Sequence, residues 1–155
     1  MSRLLLALGA ATCLLTARPT LMTAQDRSYD ENALRVDQRR GTIRITRGVS
    51  ETVVAKIGVV RGVDVASIVS PSPNAVAEAK IFQRDYRPGS WFASLGIMTL
   101  GAAIGASRIP DINQVIPTGL TIASVALLTY GGSRLESAYR ALSRAIWWYN
   151  RDLTK

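Results

Sequence analysis

Two uncharged apolar runs near the C-terminal end constrain this chain more than any other feature. The first, WFASLGIMTLGAAIGAS at 91–107, has 17 residues, and the second, VIPTGLTIASVALLTYGG at 115–132, has 18. Runs of this length are at the short end of what crosses a hydrocarbon layer about 30 Å thick. With only a short polar break between them, they predict a transmembrane helical hairpin at 91–132. A hairpin buried in a soluble core is the alternative, but so small a chain has little room for it.

Aromatic residues mark one end of this hairpin. Trp91 and Phe92 open the first run and Tyr130 closes the second, so an antiparallel pair of helices brings all three to the same level. Tryptophan and tyrosine are enriched where membrane meets water. These three residues are therefore candidates for one membrane interface, and the polar break turns at the other.

Small residues recur at helical spacing inside both runs. Gly101 and Gly105 form a G-x-x-x-G pattern in the first, and Gly119 and Ala123 form a similar surface in the second. Small side chains let helix backbones approach closely in lipid. We expect these residues to pack the two helices on each other; association between copies is the alternative. Neither run contains an ionisable residue, which argues against a proton relay or a charged transport site.

The N-terminal segment has the layout of a secretory signal peptide. MSRLLLALGAATCLLTA combines a basic start with the apolar run 4–17, and small residues follow. We predict a signal peptide at 1–24. A retained short anchor and an organelle transit peptide remain open as alternatives.

Residues 25–90 predict a small aqueous α+β segment. Its start, 25–40, is interpreted as a disordered leader, or alternatively as a helix from Asp30 to Arg40. GTIRITRG and TVVAKIGVVRG predict an antiparallel pair of strands. A helical turn from Asp64 and a helix over about 74–86 follow, the latter capped by Ser72 or Asn74 and ended by Arg87-Pro88-Gly89.

The tail 133–155 predicts an amphipathic helix. Its apolar positions share one face, namely Leu135, Ala138, Tyr139, Leu142, Ile146 and Tyr149. Basic and aromatic side chains are the further candidates for contact with a membrane interface, namely Arg140, Arg144, Trp147, Trp148 and Tyr149. A helix lying on the membrane surface is the favoured interpretation. Docking on the aqueous segment or on a partner protein is the alternative.

The amino-acid composition excludes several common kinds of catalytic and metal-binding site. The chain has no histidine and a single cysteine, which removes Ser-His-Asp and Cys-His arrangements and the usual zinc or haem ligands. The acidic residues of 25–90 match no catalytic motif and are interpreted as solvated charges or helix caps. We therefore expect no enzyme activity, no catalytic residue, no cofactor and no metal site. The net charge of +8 is spread along the chain, which favours anionic lipid over nucleic acid as its partner.

The charge pattern and the signal peptide disagree about orientation. Basic residues flank the hairpin on its outer ends, namely Lys80, Arg84, Arg87, Arg134, Arg140, Arg144, Arg151 and Lys155, whereas only Arg108 lies between the two runs. The positive-inside rule puts both ends in the cytoplasm. A cleaved signal peptide would instead export residues 25–90, and export is the interpretation we favour.

The order of segments resembles a loose group of uncharacterised small bacterial envelope proteins. The stretches SPSPNAVAEAK, SLGIMTLGAAIG and LSRAIWWYNRDL carry that resemblance, which implies no reaction, cofactor or catalytic residue. We expect a mainly α membrane protein of the bacterial inner membrane or envelope, with a two-helix transmembrane hairpin, a small α+β aqueous segment and an amphipathic C-terminal helix. Its role would be non-catalytic anchoring or interaction, in contact with lipid and with copies of itself or a membrane protein partner. An accessory subunit of a larger membrane complex is the alternative.

Overall fold

A computed structural model describes residues 29–39, 42–58, 62–110 and 112–155, so the signal-peptide prediction lies outside the described residues. A short helical turn at 29–32 precedes the named elements, which follow the chain in the order of one sheet and then helices. They are β1 (Leu34–Arg39), β2 (Thr42–Arg47), β3 (Thr52–Ile57), α1 (Val65–Ile68), α2 (Pro73–Ala106) and α3 (Val115–Asp152).

The sheet is an antiparallel meander in the order β1-β2-β3. β2 and β3 form the predicted strand pair, with a register irregularity between Ile45 and Thr46. β1 corrects the prediction of a leader or a helix at 25–40, because Leu34 to Arg39 pair with β2 along their whole length. LRVDQR alternates apolar and polar residues at its start, and of its two apolar side chains Leu34 is buried whereas Val36 is exposed.

The predicted starts of the first two helices are confirmed. Asp64 caps α1, since its side chain accepts a hydrogen bond from the backbone N–H of Ser67. Ser72 caps α2 in the same way, accepting from the N–H of Ala75, and Pro73 occupies the first turn. Proline is tolerated there because its missing N–H would have no partner inside the helix.

The predicted end of the helix near Tyr86 is wrong. α2 runs from Pro73 through Pro88 to Ala106, 34 residues in all. α3 is equally unbroken, with 38 residues from Val115 through Gly131 and Gly132 to Asp152. An interior proline costs a helix about 3 kcal/mol, and the extensive packing of α2 on α3 offsets this cost. Each apolar run is therefore one half of a longer helix.

The hydrophobic core occupies the other half of these helices. Buried side chains of the sheet and of α1 meet α2 through Phe82 and Tyr86 and meet α3 through Leu142, Ile146 and Tyr149. Fully buried alanines line the contact between the helices, namely Ala75, Ala79, Ala138, Ala141 and Ala145. We call the described residues 29–90 and 133–155 the base, and residues 91–106 and 115–132 the apolar half.

Asn150 ties the end of α3 to the edge of the sheet. Its side-chain amide accepts a hydrogen bond from the backbone N–H of Leu34 and donates one to the Leu34 carbonyl, both at 2.8 Å. The amide thus pairs with β1 as a neighbouring strand would. Two residues farther along α3, Asp152 accepts a hydrogen bond from the Ser72 hydroxyl at 2.5 Å, which joins the start of α2 to the end of α3.

Candidate membrane-contact site

The apolar half differs from the base in what its large side chains touch. Both long helices are long and apolar enough to cross a membrane, and at most 22% of either apolar window is buried. Large hydrophobic side chains stay exposed on both helices there, namely Trp91, Leu95, Ile97, Met98, Ile104, Val115, Ile116, Ile122, Val125 and Tyr130. Soluble monomers rarely expose so large a continuous apolar surface.

The helix ends of the apolar half agree closely with the two predicted runs. α2 ends at Ala106 and α3 begins at Val115, which leaves a short connection, called the tip, at 107–114. From Trp91 to Ala106, α2 advances about 24 Å, somewhat less than a typical hydrocarbon layer. The tip carries Arg108 and exposed Ile109.

The predicted interface aromatics lie together where the apolar half meets the base. The rings of Phe92 and Tyr130 contact edge to face, with centroids 4.9 Å apart. Trp91 is 57% exposed beside them, and the guanidinium of Arg134 lies 5.4 Å from the centre of the Tyr130 ring. The two helices therefore present aromatic and basic side chains at one level.

Just below this level, Asp85 of α2 is buried in contact with α3. Arg84 donates from Nε to Oδ1 of Asp85 at 2.9 Å, and Arg134 of α3 donates to the same oxygen at 3.0 Å. The Ser137 hydroxyl donates to Oδ2 at 2.9 Å. The hydrogen bond from Arg84, together with those from Ser137 and Arg134, outweighs desolvation and lowers the pKa of Asp85 from 3.8 to about 2.

Asp85 corrects the interpretation of the acidic residues as solvated charges or caps. Only 2% of its side chain is exposed, whereas Arg84 and Arg134 keep 68% and 40% of theirs. Arg87, also exposed, lies one turn closer to Trp91. We call Arg84, Arg87 and Arg134 the arginine collar. Sequence spacing could have shown that Asp85 shares the apolar face of Phe82 and Tyr86, but not which residues it would meet.

The tail departs from the favoured prediction of a helix on the membrane surface. Residues 133–152 continue α3 without a break, and their apolar face packs into the core of the base. The docked alternative is the arrangement in the structure. Its physical reason is the alanine contact with α2, which buries the face that a surface helix would offer to lipid.

The basic and aromatic candidates of the tail therefore lie away from the interface aromatics. Along α3, Trp147 is about 25 Å from Tyr130. Tyr149 is buried, and Trp147 packs edge to face on Trp148, whose ring is covered by Arg151 at 3.9 Å. Ion pairs occupy the remaining two candidates: Arg140 binds Glu136, and Arg144 binds Glu78 at 3.0 Å.

Glycine does hold the two helices together, but not at the predicted positions. Added Cβ atoms at Gly89, Gly96 and Gly131 would all press on the opposite helix; at Gly131 the nearest atom, the backbone nitrogen of Ala93, would be only 2.5 Å away. Added Cβ atoms at Gly101, Gly105 and Gly119 would meet nothing within 4 Å. Ala123 is exposed as well.

The interpretation that Gly101, Gly105, Gly119 and Ala123 pack the helices of one hairpin therefore disagrees with the structure. These residues sit on helix faces that point away from the neighbouring helix, as their open surroundings require. Their spacing alone could not distinguish the two faces, because every helix face repeats at three and four residues.

Neither a metal-binding cluster among the described residues nor a similar known protein indicates a function for this chain. Among the described residues, no three acidic or sulfur-bearing side chains come together as a metal site. Comparison of the chain with protein-family models, curated proteins and solved structures gave no significant match. The resemblance to small envelope proteins stays a prediction.

Proposed function

We propose that this chain is a non-catalytic integral membrane protein of the bacterial envelope, with the apolar half inserted in the bilayer and the base held against one surface. The observation that carries this proposal is a contrast within single helices. α2 and α3 bury their apolar faces in the base, yet leave large apolar side chains exposed as soon as they pass Trp91 and Tyr130.

Lipid is the solvent that suits this surface. Moving the ten large, mostly half-exposed side chains of the apolar half out of water is worth on the order of 10 kcal/mol. Backbone groups raise no obstacle, because both segments are continuous helices that satisfy their hydrogen bonds internally. The hydroxyls of Thr99, Thr121, Ser124 and Thr129 donate to backbone carbonyls of their own helix.

Alkaline carbonate extraction of membranes from cells that express the chain tests this proposal. Expressed in bacteria, the full chain should stay in the membrane pellet after alkaline carbonate treatment. The double variant Ile97→Asp with Ile122→Asp, which places two charges in the apolar half, should reduce the pelleted fraction severalfold. Val49→Asp is the matched control, since Val49 is an exposed apolar residue of the base. Release of the unmodified chain by carbonate would overturn the proposal.

The proposed role is to anchor the base and its interactions at the membrane. In the orientation that a cleaved signal peptide implies, the base is exported and the tip faces the cytoplasm. The arginine collar and the other basic residues of the base favour the opposite orientation. Both orientations place the base wholly on one side, because its sheet and the end of α3 form one core.

A second candidate function, accessory subunit of a larger membrane complex, has one specific observation in its favour. The small residues Gly101, Gly105 and Gly119 leave open surface on both helices, where the helix of a partner could approach closely. Purification in mild detergent should then recover stoichiometric partner proteins. The double variant Gly101→Leu with Gly105→Leu should release them without unfolding the chain, because both positions are open. A lone chain or lone oligomer would argue against this role.

A further inference from the structure

The arginine collar carries an inference that rests on the proposed membrane insertion and extends it. We propose that Arg84, Arg87 and Arg134 form a binding site for the phosphate of an anionic phospholipid in the surface layer facing the base. Its ligand class is a phosphate monoester or diester with net negative charge.

The arginine collar lies close to the level at which the polar layer of a bilayer would begin. Arg87 lies four residues before Trp91 and Arg134 four residues after Tyr130, so each is about 6 Å along its helix from the aromatic level, and Arg84 is about 10 Å away. The polar layer of a bilayer begins at the hydrocarbon boundary and is about 5 to 8 Å thick on each side. Arg87 and Arg134 therefore lie within this layer, and Arg84 lies just beyond its outer limit, where a flexible arginine side chain can still reach it.

Asp85 holds two guanidinium groups of the collar together. Arg84 and Arg134 come from different helices, yet both donate to Oδ1 of the same buried carboxylate, at 2.9 and 3.0 Å. Two cations confined around one anion leave a net positive charge. Arg84 uses only two of its five N–H groups on Asp85, and its side chain is 68% exposed. Arginine with free N–H groups binds phosphate oxygens in a bidentate manner.

The collar keeps a net positive charge, unlike the other basic residues of α3 that lie nearest to it. Arg140 and Arg144, farther from the apolar half, are neutralised by Glu136 and Glu78. At the opposite end, Arg108 and Asp111 give the tip no net charge. With Arg87 added, the collar concentrates about two net positive charges at the height where lipid phosphates lie.

The test uses the full chain purified in a neutral detergent, with thermal unfolding followed by circular dichroism. Phosphatidylglycerol should raise the Tm by about 3 °C or more above its value with phosphatidylcholine. The double variant Arg84→Gln with Arg87→Gln should lose at least half of this difference. Lys80→Gln with Arg140→Gln removes the same number of cations, one from α2 and one from α3, farther from Trp91 and Tyr130, and should keep it.

Three results would overturn the inference: equal Tm values with both lipids, equal losses in the two double variants, or the same rise with inorganic phosphate alone, which would identify a site for free phosphate. If Arg84→Gln impairs folding through Asp85, Arg87→Gln alone should still lower the response, because Arg87 takes no part in that contact; an unchanged response in this variant would count against the site. Carbonate extraction of the same strains separates the proposals, since a chain retained in membranes without lipid preference loses only this inference.

Discussion

Gly131 lies at a point where the two long helices approach each other closely. An added Cβ would lie 2.5 Å from the backbone nitrogen of Ala93 and 2.9 Å from the carbonyl oxygen of Gly89. Both are backbone atoms, so neither can move without shifting α2. Gly132, next in the chain, has nothing within 4 Å of the same added atom. The neighbouring glycines thus differ only in which side of α3 they occupy.

Gly131→Ala should therefore destabilise the protein, because the helices must separate where Phe92 meets Tyr130. We expect a loss of about 2 kcal/mol or more in the free energy of unfolding. Gly132→Ala should be neutral or stabilising by up to about 1 kcal/mol, since alanine favours the helix. Unfolding of the two variants in detergent measures both effects, and equal stability would contradict the close approach.

At the scale of elements, Asp85 links α2 to α3 at the border between the base and the apolar half. Its pKa falls from 3.8 to about 2 in the folded protein, so the charged carboxylate stabilises the fold. The sign follows from linkage: the stabilisation is complete above about pH 4 and is lost as the pH falls toward 2. The two helices should therefore come apart more easily in acid.

Thermal unfolding between pH 5 and pH 2 tests this link. The Tm of the unmodified protein should fall more steeply than that of Asp85→Asn, which starts lower but has no carboxylate to protonate at this position. Glu51→Gln changes an exposed carboxyl in the turn after β2 and should keep the acid dependence of the unmodified protein. Parallel curves for all three proteins would show that Asp85 contributes nothing to it.

The elements also show what sequence patterns can establish here. The limits of the first apolar run could be predicted because no charged residue lies between Arg87 and Arg108. The strand at 34–39 was missed because two alternating apolar and polar pairs are a weak signal without β2 beside them. Pro88 predicted a helix end by a local rule that packing on α3 overrides. Asp85 depends on Arg134 and Ser137, which are 49 and 52 residues away in the chain, so no local pattern could place it.

At the scale of the whole molecule, the base and the tip must lie on opposite sides of the membrane if the apolar half spans it. Single cysteines in a Cys13→Ala background report this arrangement through labelling by a membrane-impermeant maleimide. Glu51→Cys and Ser143→Cys, both exposed in the base, should label from one side, and Asn113→Cys at the tip from the other.

The side on which Glu51→Cys and Ser143→Cys react distinguishes export of the base from the cytoplasmic placement that the positive-inside rule favours. Labelling of Asn113→Cys and Ser143→Cys from the same side would contradict a spanning hairpin. Unlike the extraction assay, this measurement depends on topology and not on the strength of membrane attachment.

With the apolar half inserted as proposed, α2 and α3 would continue from the bilayer into the base as unbroken helices. No loop lies between the apolar half and the base, so the base would follow a tilt that membrane thickness imposes on the hairpin. A tilt of about 10° would carry the far end of α3, about 30 Å below Gly132, sideways by about 5 Å. Whatever contacts the base at that end would register a change in the thickness of the membrane.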